Sequence, residues 1–255
     1  RIMVRGAAGP TCAPPGAGPP ISTLYGSHGT ARGASAGGRS ASRSIARAPR
    51  VGGRTCSVGA PDRVPNLMDQ AAGSSGAQSY NNFALSKANR AKRIYVGAND
   101  GMLHGFAGED GREVLAYVPE MLFPALSGLT NPGYVHRYYV DGSPTVGDAF
   151  VNGDWKTVLV SNLRGGHQGV FALNVTDPAL FDSEANATNI AMWEFTDADD
   201  PDIGFVYGQP SIVRMANGKW AAIFGNGYNN SVNDGSASTS GHAVLYILFL
   251  DGGDP

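Results

Sequence analysis

Apolar and polar residues alternate in two related stretches of the chain, and each stretch predicts a β-hairpin. Residues 142–163 return in altered form as residues 208–227. An apolar strand (145–151 or 211–215) leads into Asn-Gly, a pair that supplies positive φ angles in tight turns, and a second strand leaves through Trp. Four landmarks match in order, with a single slip in spacing between the second and the third: Gly142 with Gly208, Pro144 with Pro210, Asn152 with Asn217, and Trp155 with Trp220. A repeat of this length built from strands predicts a stack or ring of small sheets.

A longer unit surrounds these hairpins and occurs three times. One apolar strand of the unit recurs at equal steps along the chain, at 94–97, 158–161 and 222–225. The next strand follows a Gly-rich turn in each unit, at 102–106, 170–175 and 243–250. An outer strand with an aromatic residue completes only the first two units, at 114–118 and 191–195. The predicted fold class is therefore all-β, a partial β-propeller of about two and a half blades, whereas a closed ring needs about four to eight.

The segments between the strands predict short helices and loops. Residues 58–67 are rich in proline and predict a loop, and residues 80–93 have apolar residues at the spacing of a short surface helix. Residues 121–137 are predicted to begin as a short helix and to end in a Pro-Gly turn. Residues 176–189 predict a polar loop. The unpaired edge after the third unit predicts a tendency to self-association.

Residues 1–57 differ in composition from the rest of the chain. They contain mostly Gly, Ala, Pro, Ser and Arg, without a period of 2 or 3.6, so they cannot bury enough surface to offset chain entropy. We predict disorder in 1–57 and a partial propeller in 58–255. A basic tail that binds an anionic surface is one interpretation of 1–57. The preferred one is non-native sequence, the product of a GC-rich gene translated out of frame.

Composition and charge narrow the class of protein further. The 36 glycines and the charged fraction of 16% favour turn-rich β structure. Residues 58–255 contain 11 basic and 21 acidic residues, a net charge of −10, so nucleic acid is an unsuitable partner. Both cysteines, Cys12 and Cys56, lie in the basic segment. No apolar run reaches the roughly 18 residues of a transmembrane helix, and the first residues lack the apolar core of a signal peptide.

Few residues have the spacing that metal binding or catalysis requires. The acidic loop 197–202 offers Asp197, Asp199 and Asp202 as calcium ligands, but Pro201 occupies a ligand position and no bidentate Glu follows, which favours a solvated turn. Residues 164–167 could form a Gly-rich nest, although a flexible turn is preferred. No nucleophile elbow or phosphate-binding loop occurs, so no catalytic or cofactor-binding residue is predicted. The five histidines are not spaced as a metal set: His28, His104, His136, His167 and His242.

Several long motifs resemble the C-terminal β-propeller of the PilC/PilY family of type IV pilus assembly factors and tip adhesins. They are YVGANDGMLHGF at 95–106, AYVP at 116–119, HRYYVDGSPTVGD at 136–148, GVFALNVTDP at 169–178, and GQPSIVRMANGKWAAIFGNGYN at 208–229. The resemblance covers about residues 58–246. It implies a non-catalytic propeller that supports pilus assembly, retraction control and adhesion. It also implies minor pilin subunits and a host or abiotic surface as partners, and a location at the pilus tip or outer membrane surface.

This sequence differs from the family in two respects, and the family's properties cannot be assigned to it there. The family's calcium loop lies beyond residue 255 in family members, so calcium is expected in the full-length family protein and no cofactor in this chain. The family's N-terminal adhesion region is also unmatched, because residues 1–57 stand in its place. An alternative remains, because the blades also resemble those of quinone-dependent dehydrogenases. Many of those enzymes hold a pair of adjacent cysteines against the cofactor, and this sequence has none.

Overall fold

A computed structural model describes residues 53–231 and 237–252, and eleven β-strands lie within them. The strands form three antiparallel sheets, two of four strands and one of three. Within each sheet the strands follow chain order, so each sheet is a meander. This confirms the predicted all-β fold with propeller blades. Within the described residues the third sheet has three strands and no outer fourth one, as predicted, and the first sheet has one strand more than predicted.

The first sheet begins earlier than the sequence indicated. Its strands are β1 (Cys56–Val58), β2 (Arg93–Gly97), β3 (Leu103–Ala107) and β4 (Glu113–Tyr117). β1 pairs antiparallel with β2, which places Cys56 opposite Tyr95. The predicted boundary between residues 57 and 58 therefore falls inside β1. Disorder in residues 1–52 stays a prediction, since they lie outside the described residues.

The second sheet contains the predicted hairpin with its predicted turn. Its strands are β5 (Thr145–Val151), β6 (Asp154–Asn162), β7 (Gly169–Asn174) and β8 (Ala191–Thr196). Asn152 and Gly153 join β5 to β6, with φ angles of 55° and 82°. Positive φ at both residues is the requirement of the two-residue turn that matches strand twist. The Asn-Gly prediction is confirmed for this copy of the repeat.

The third sheet turns differently. Its strands are β9 (Ser211–Arg214), β10 (Trp220–Gly225) and β11 (Leu245–Phe249). In the turn between β9 and β10, only Gly218 has a positive φ angle, at 89°. Its backbone N donates to the Met215 carbonyl over 3.0 Å. Three residues, 216–218, therefore form the loop, and the prediction that Asn217 shares the conformation of Asn152 is wrong. The spacing between the two copies of the repeat changes just before this turn in the sequence. The turn itself has a different conformation in each copy.

Both faces of the second sheet are buried. Because successive side chains of a strand point to opposite faces, Leu159 lies on one face, and Val158 and Val160 lie on the other. The first face packs against Tyr95, Leu103 and Tyr117 of the first sheet, and the second packs against Ala222, Phe224, Tyr246 and Leu248 of the third. Burial of each large apolar side chain stabilises the fold by about 1.5–3 kcal/mol. The sheets are therefore stacked face to face.

The two repeated tryptophans lie in the core between the second and third sheets. Trp155 and Trp220 are both buried, and their ring centroids are 6.0 Å apart in an edge-to-face arrangement. They therefore pack the second sheet against the third. Trp155 also donates from Nε1 to the Gln78 carbonyl over 3.1 Å. Nε1 of Trp220 is buried and has no hydrogen-bond partner among the described residues.

A helical insertion connects β1 to β2. It contains α1 (Pro65–Ala72) and α2 (Tyr80–Ser86), and Tyr80 of α2 packs 4.8 Å from the Trp155 ring. The predicted helix in residues 80–93 is confirmed as α2. The loop predicted over residues 58–67 is wrong at its end, because α1 starts at Pro65, in the first turn where proline is tolerated.

Short helices also occupy the connections between sheets. α3 (Phe123–Leu126) lies in the segment predicted to begin as a helix. α4 (Ala187–Ile190) begins within the segment 176–189, which also contains two 3-10 turns. The polar loop predicted there is wrong, because Phe181 and Ala187 are buried against the first two sheets. The irregular spacing of these apolar side chains hid the contact from a prediction based on periodicity.

Candidate functional site

The loops of all three sheets gather at one end of the strands. In an antiparallel meander, the turn from the second to the third strand and the exit from the fourth strand lie at the same end. Direct contacts confirm this, because Tyr139 N donates to Asn99 Oδ1 over 3.1 Å and Val140 N donates to the Ala98 carbonyl over 3.2 Å. We call this region the loop end, and it comprises the described parts of residues 98–102, 134–144, 163–168, 202–210 and 226–244.

Asp202 ties two segments of the loop end together. Its Oδ1 accepts hydrogen bonds from the hydroxyls of Ser238 and Ser240, each over 2.6 Å. Its carbonyl accepts from the side-chain amides of Asn226 over 2.7 Å and Asn230 over 3.1 Å. The link between the second and third sheets is therefore fixed to the loop between β10 and β11.

The acidic side chains proposed as calcium ligands are engaged within the protein. Asp199 accepts through Oδ2 from the backbone N of Thr196 over 2.8 Å, and Asp202 is engaged by the two serines. Asp197 is buried. The described residues contain no group of three His, Cys, Asp or Glu side chains that could hold a metal ion. Calcium takes six to eight oxygen ligands, and a calcium site at Asp197, Asp199 and Asp202 stays a prediction.

A buried carboxylate lies near the centre of the loop end. Burial raises the pKa of Asp141 above its ordinary value, while the positive charges of Arg164 and His136 act in the opposite direction. Arg164 adopts a φ of 47° and reaches Ser143 Oγ over 3.5 Å. Residues 164–166 form a 3-10 turn, closed by a 2.9 Å hydrogen bond from Gly166 N to the Leu163 carbonyl. The turn interpretation of this segment therefore describes it better than a nest.

Exposed tyrosine rings lie at the loop end, and the charge of Asp141 acts on one of them, Tyr207. Tyr138, Tyr207 and Tyr228 expose 51%, 44% and 58% of their surface. The Tyr207 and Tyr228 ring centroids are 5.5 Å apart, and Phe205 lies 5.8 Å from Tyr228. Burial and the hydrogen bond with Tyr228 raise the pKa of Tyr207. Exposed aromatic side chains that lie side by side mark surfaces that bind partners or ligands.

His104 is held between two carboxylates. Its Nε2 lies 3.0 Å from Asp100 Oδ2, and its Nδ1 lies 2.5 Å from Glu113 Oε1. The hydrogen bond to Asp100 raises the pKa of His104, burial opposes this, and Glu113 adds to the rise. Both ring nitrogens are occupied, so the imidazole links the loop end to β4 structurally. The other described histidines are separate from it and do not converge.

Those histidines occupy three different settings. His136 is exposed and packs edge-on against Tyr138, and His242 is exposed beside Ser240. His167 lies in the β6–β7 loop, partly buried. His28 falls outside the described residues.

Cys56 belongs to the first sheet rather than to a disordered segment. It is a free thiol, and burial raises its pKa to about 12. The expectation that the ordered part lacks cysteine is therefore wrong. A thiol with so high a pKa is a poor nucleophile, since the thiolate is the reactive form.

Sequence reasoning missed the aromatic cluster. A signal was present, because Asp141 and Tyr207 occupy the same place in the repeat, each directly before the shared glycine. A position that changes between repeats while its neighbours are retained points to a feature of individual loops. The carboxylates around His104 were also missed, although Asp100 and His104 lie close together in the sequence.

Three antiparallel meanders stacked face to face, with their loops gathered at one end, define a β-propeller domain. Within the described residues, no helix has the length and apolar character needed to cross a membrane. The sequence profile described as the PilY1 beta-propeller domain matches residues 53–254. The chain therefore belongs to the PilY1 β-propeller family, in agreement with the PilC/PilY resemblance of its motifs.

Curated relatives support the same family. The chain is 48% identical over 178 residues to a type IV pilus biogenesis factor PilY1 of Pseudomonas aeruginosa. The aligned region covers 68% of the chain. The chain is 46% identical over 174 residues to a PilY1 homolog of Xylella fastidiosa, also over 68% of the chain. The chain spans 14% of the first relative and 11% of the second.

A solved structure shows the same fold. The crystal structure of the Pseudomonas aeruginosa PilY1 C-terminal domain matches with a TM-score of 0.60 and 39% sequence identity. The match covers 77% of this chain and 35% of the solved chain. The chain thus corresponds to part of that domain.

Proposed function

We propose that this chain is a portion of the propeller of a type IV pilus biogenesis factor and that it acts without catalysis. The observation that supports this most directly is the 48% identity over 178 residues to a protein named as such a factor. The shared fold with the PilY1 C-terminal domain adds support. The pilus-related role of the complete protein is part of the proposal, since the chain spans only a small share of its relatives.

The engagement of the acid–base groups supports a scaffold rather than an enzyme. Glu194 Oε1 accepts from the Tyr117 hydroxyl over 2.6 Å and from Glu120 N over 2.9 Å, and Oε2 accepts from Met121 N over 3.2 Å. These contacts fasten the first sheet to the second. His104 and Asp202 are also held in hydrogen bonds to neighbouring protein groups. Side chains fixed in this way position segments of the fold.

The alternative of a quinone-dependent dehydrogenase receives no support from the matched relatives, whose names describe pilus biogenesis. Cys56 is the single cysteine of the described residues, whereas many such enzymes place two adjacent cysteines against the quinone.

The finer part of the proposal concerns location and partners. We place the protein at the pilus tip or outer membrane surface, with minor pilin subunits and a host or abiotic surface as partners. There it supports pilus assembly, retraction control and adhesion. The loop end favours such contacts, because loops on a rigid scaffold commonly carry the binding function of a domain. Calcium in the full-length protein, bound beyond this chain, completes the proposal.

A segment exchange tests the pilus role. Residues 53–254 replace the matched segment of Pseudomonas aeruginosa PilY1, in a strain whose own gene is deleted. We expect the chimaera to restore surface pili, measured as pilin sheared from the cells. The control is the same chimaera with Trp155→Asp, which places a charge in the core. A wild-type chimaera that reaches the cell surface at normal amount without restoring pili would contradict the proposal.

A second assay addresses catalysis. The chimaera, purified with pyrroloquinoline quinone and calcium, is mixed with alcohols and a redox dye. We expect no reduction above that of the Trp155→Asp control. Alcohol-dependent dye reduction would favour the dehydrogenase alternative.

A further inference from the structure

An open groove lies at the loop end of the third sheet. It has a volume of about 390 Å³, within the range of small-ligand sites, and it is lined by Phe205, Tyr207, Gly208, Gly225, Gly227 and Tyr228. Three of the six lining residues are aromatic and three are glycines. None carries a formal charge, so the groove offers ring faces and bare backbone.

The backbone holds these rings outward in a fixed arrangement. Phe205 N donates to the Tyr228 carbonyl over 2.9 Å, and Tyr228 N donates to the Phe205 carbonyl over 3.2 Å. Gly227 has a φ of 78°, and a Cβ atom there would overlap the backbone of Phe205. Gly204 N also donates to the Asn226 carbonyl over 2.7 Å. The backbone that carries the rings therefore does not have to be ordered when a ligand binds, which lowers the cost of binding.

A third tyrosine extends the aromatic surface beyond the groove. The position that a Cβ atom would take on Gly165 lies 3.0 Å from the Tyr138 ring and 3.0 Å from the Tyr207 hydroxyl. The absence of a side chain at Gly165 thus lets the two tyrosines approach each other. With Tyr228 they form a row of exposed rings.

Polar groups lie beside this row. Asn229, directly after Tyr228, is exposed with a φ of 63°. An amide side chain both donates and accepts hydrogen bonds, and a tyrosine hydroxyl does the same. The surface therefore combines apolar ring faces with a rim that can satisfy several hydroxyl groups.

We propose that this groove binds a neutral saccharide. One face of a pyranose ring presents C–H groups with partial positive charge, and the face of an aromatic ring carries partial negative charge. The hydroxyl groups around the sugar then meet the tyrosine hydroxyls and the exposed Asn229. A charged ligand would find no counter-charge in the groove lining. This inference does not depend on the pilus role, since it rests on the chemistry of the groove alone.

Protein association is the competing use of exposed tyrosines. The groove favours a small ligand, because it is bounded by six residues and has hydrogen-bonding groups around its rim. Hot spots of protein interfaces are instead surrounded by contacts that exclude water over a larger area.

The test uses the full chain and ligand-observed saturation-transfer NMR. The probes are cellobiose, lactose, maltotriose and chitobiose as neutral saccharides, with sialyllactose as a charged comparison. We expect at least one neutral probe to bind and Tyr228→Ala to weaken it about tenfold, the change that about 1.4 kcal/mol of lost ring contact produces. Tyr228→Phe keeps the ring face and should retain most of the affinity.

Tyr134→Ala is the matched control, because Tyr134 is a tyrosine exposed by 39% that does not line the groove. It should leave the affinity unchanged. Circular dichroism checks that each variant is folded. Tyr207→Ala is the second groove variant if Tyr228→Ala does not fold.

Three results would overturn the proposal. They are no binding by any neutral probe, binding that both folded groove variants retain, and a groove-dependent preference for sialyllactose. Capture of purified minor pilin that is lost in Tyr228→Ala, without saccharide binding, would assign the groove to a protein partner instead.

Discussion

The two repeated tryptophans should respond differently to the same substitution. Trp155 and Trp220 lie in one core and face each other, so replacing either with Phe removes the same volume from similar surroundings. The indole N–H groups differ, because Trp155 donates to the Gln78 carbonyl over 3.1 Å and Trp220 is buried without a partner among the described residues. Trp155→Phe should therefore be clearly the more destabilising change.

The size of the difference follows from the hydrogen bonds. Trp155→Phe loses one hydrogen bond, a net contribution of about 0.5–1.5 kcal/mol, and leaves a carbonyl to be solvated. Trp220→Phe loses no hydrogen bond and removes a buried N–H whose desolvation costs about 1–3 kcal/mol. The cavity cost is common to both and cancels. We expect the free energies of unfolding of the two variants to differ by about 2 kcal/mol.

Urea unfolding of the full chain, followed by circular dichroism, measures this difference. With a slope of about 2 kcal/mol per molar urea, the midpoint of Trp155→Phe should fall about 1 M below that of Trp220→Phe. Gln78→Ala is a control that should leave the difference in place, because the bond uses the main-chain carbonyl of residue 78. Equal midpoints, or a lower midpoint for Trp220→Phe, would refute the hydrogen-bond reasoning.

Three further predictions concern the pH response, the hairpin turn and the thiol. The raised pKa of His104 means that the stability it contributes is complete below its ordinary pKa of about 6.5 and is lost as pH rises through the folded-state pKa. His104→Gln should therefore flatten the decline of unfolding free energy that begins above about pH 6.5, and an unchanged slope would count against the ion-pair assignment. Asn152→Ala should cost about 1 kcal/mol because alanine resists the positive φ there, whereas Asn152→Gly should be nearly neutral in thermal unfolding. In a Cys12→Ser background, Cys56 should resist iodoacetamide at about pH 8 until urea unfolds the chain, and rapid labelling of the native protein would contradict its raised pKa.

The repeated strands could be predicted because each carries its own signal. β2, β6 and β10 combine an apolar run with glycine-containing turns, and their equal spacing along the chain reinforces each assignment. β1 could not be found in this way, because it is very short and pairs with a strand that follows only after the whole helical insertion. A short edge strand is stabilised by its partner rather than by its own sequence.

Helix α1 could have been predicted from the sequence. Pro65 occupies its first turn, and Gly73 follows its end with a φ of 67°, which is the asymmetry typical of helix termini. The proline content of the surrounding residues concealed this pattern. The repeat pointed to Tyr207 as a distinctive position, but the proximity of the three tyrosines could not be predicted, because it depends on how neighbouring sheets are oriented. That orientation is set by packing across the whole core.

The helical insertion has a consequence for how the chain loses its structure. It leaves the first sheet after β1 and returns at β2, yet Tyr80 and Phe83 pack with Trp155 in the core of the other two sheets. Repeat arrays in which each unit touches only its neighbours can melt from one end. Here, separation of β1 from β2 would also disturb helices that cover a distant core. Amide protons in β1 and β6 should therefore exchange with solvent through one shared opening event, as a single cooperative unit does.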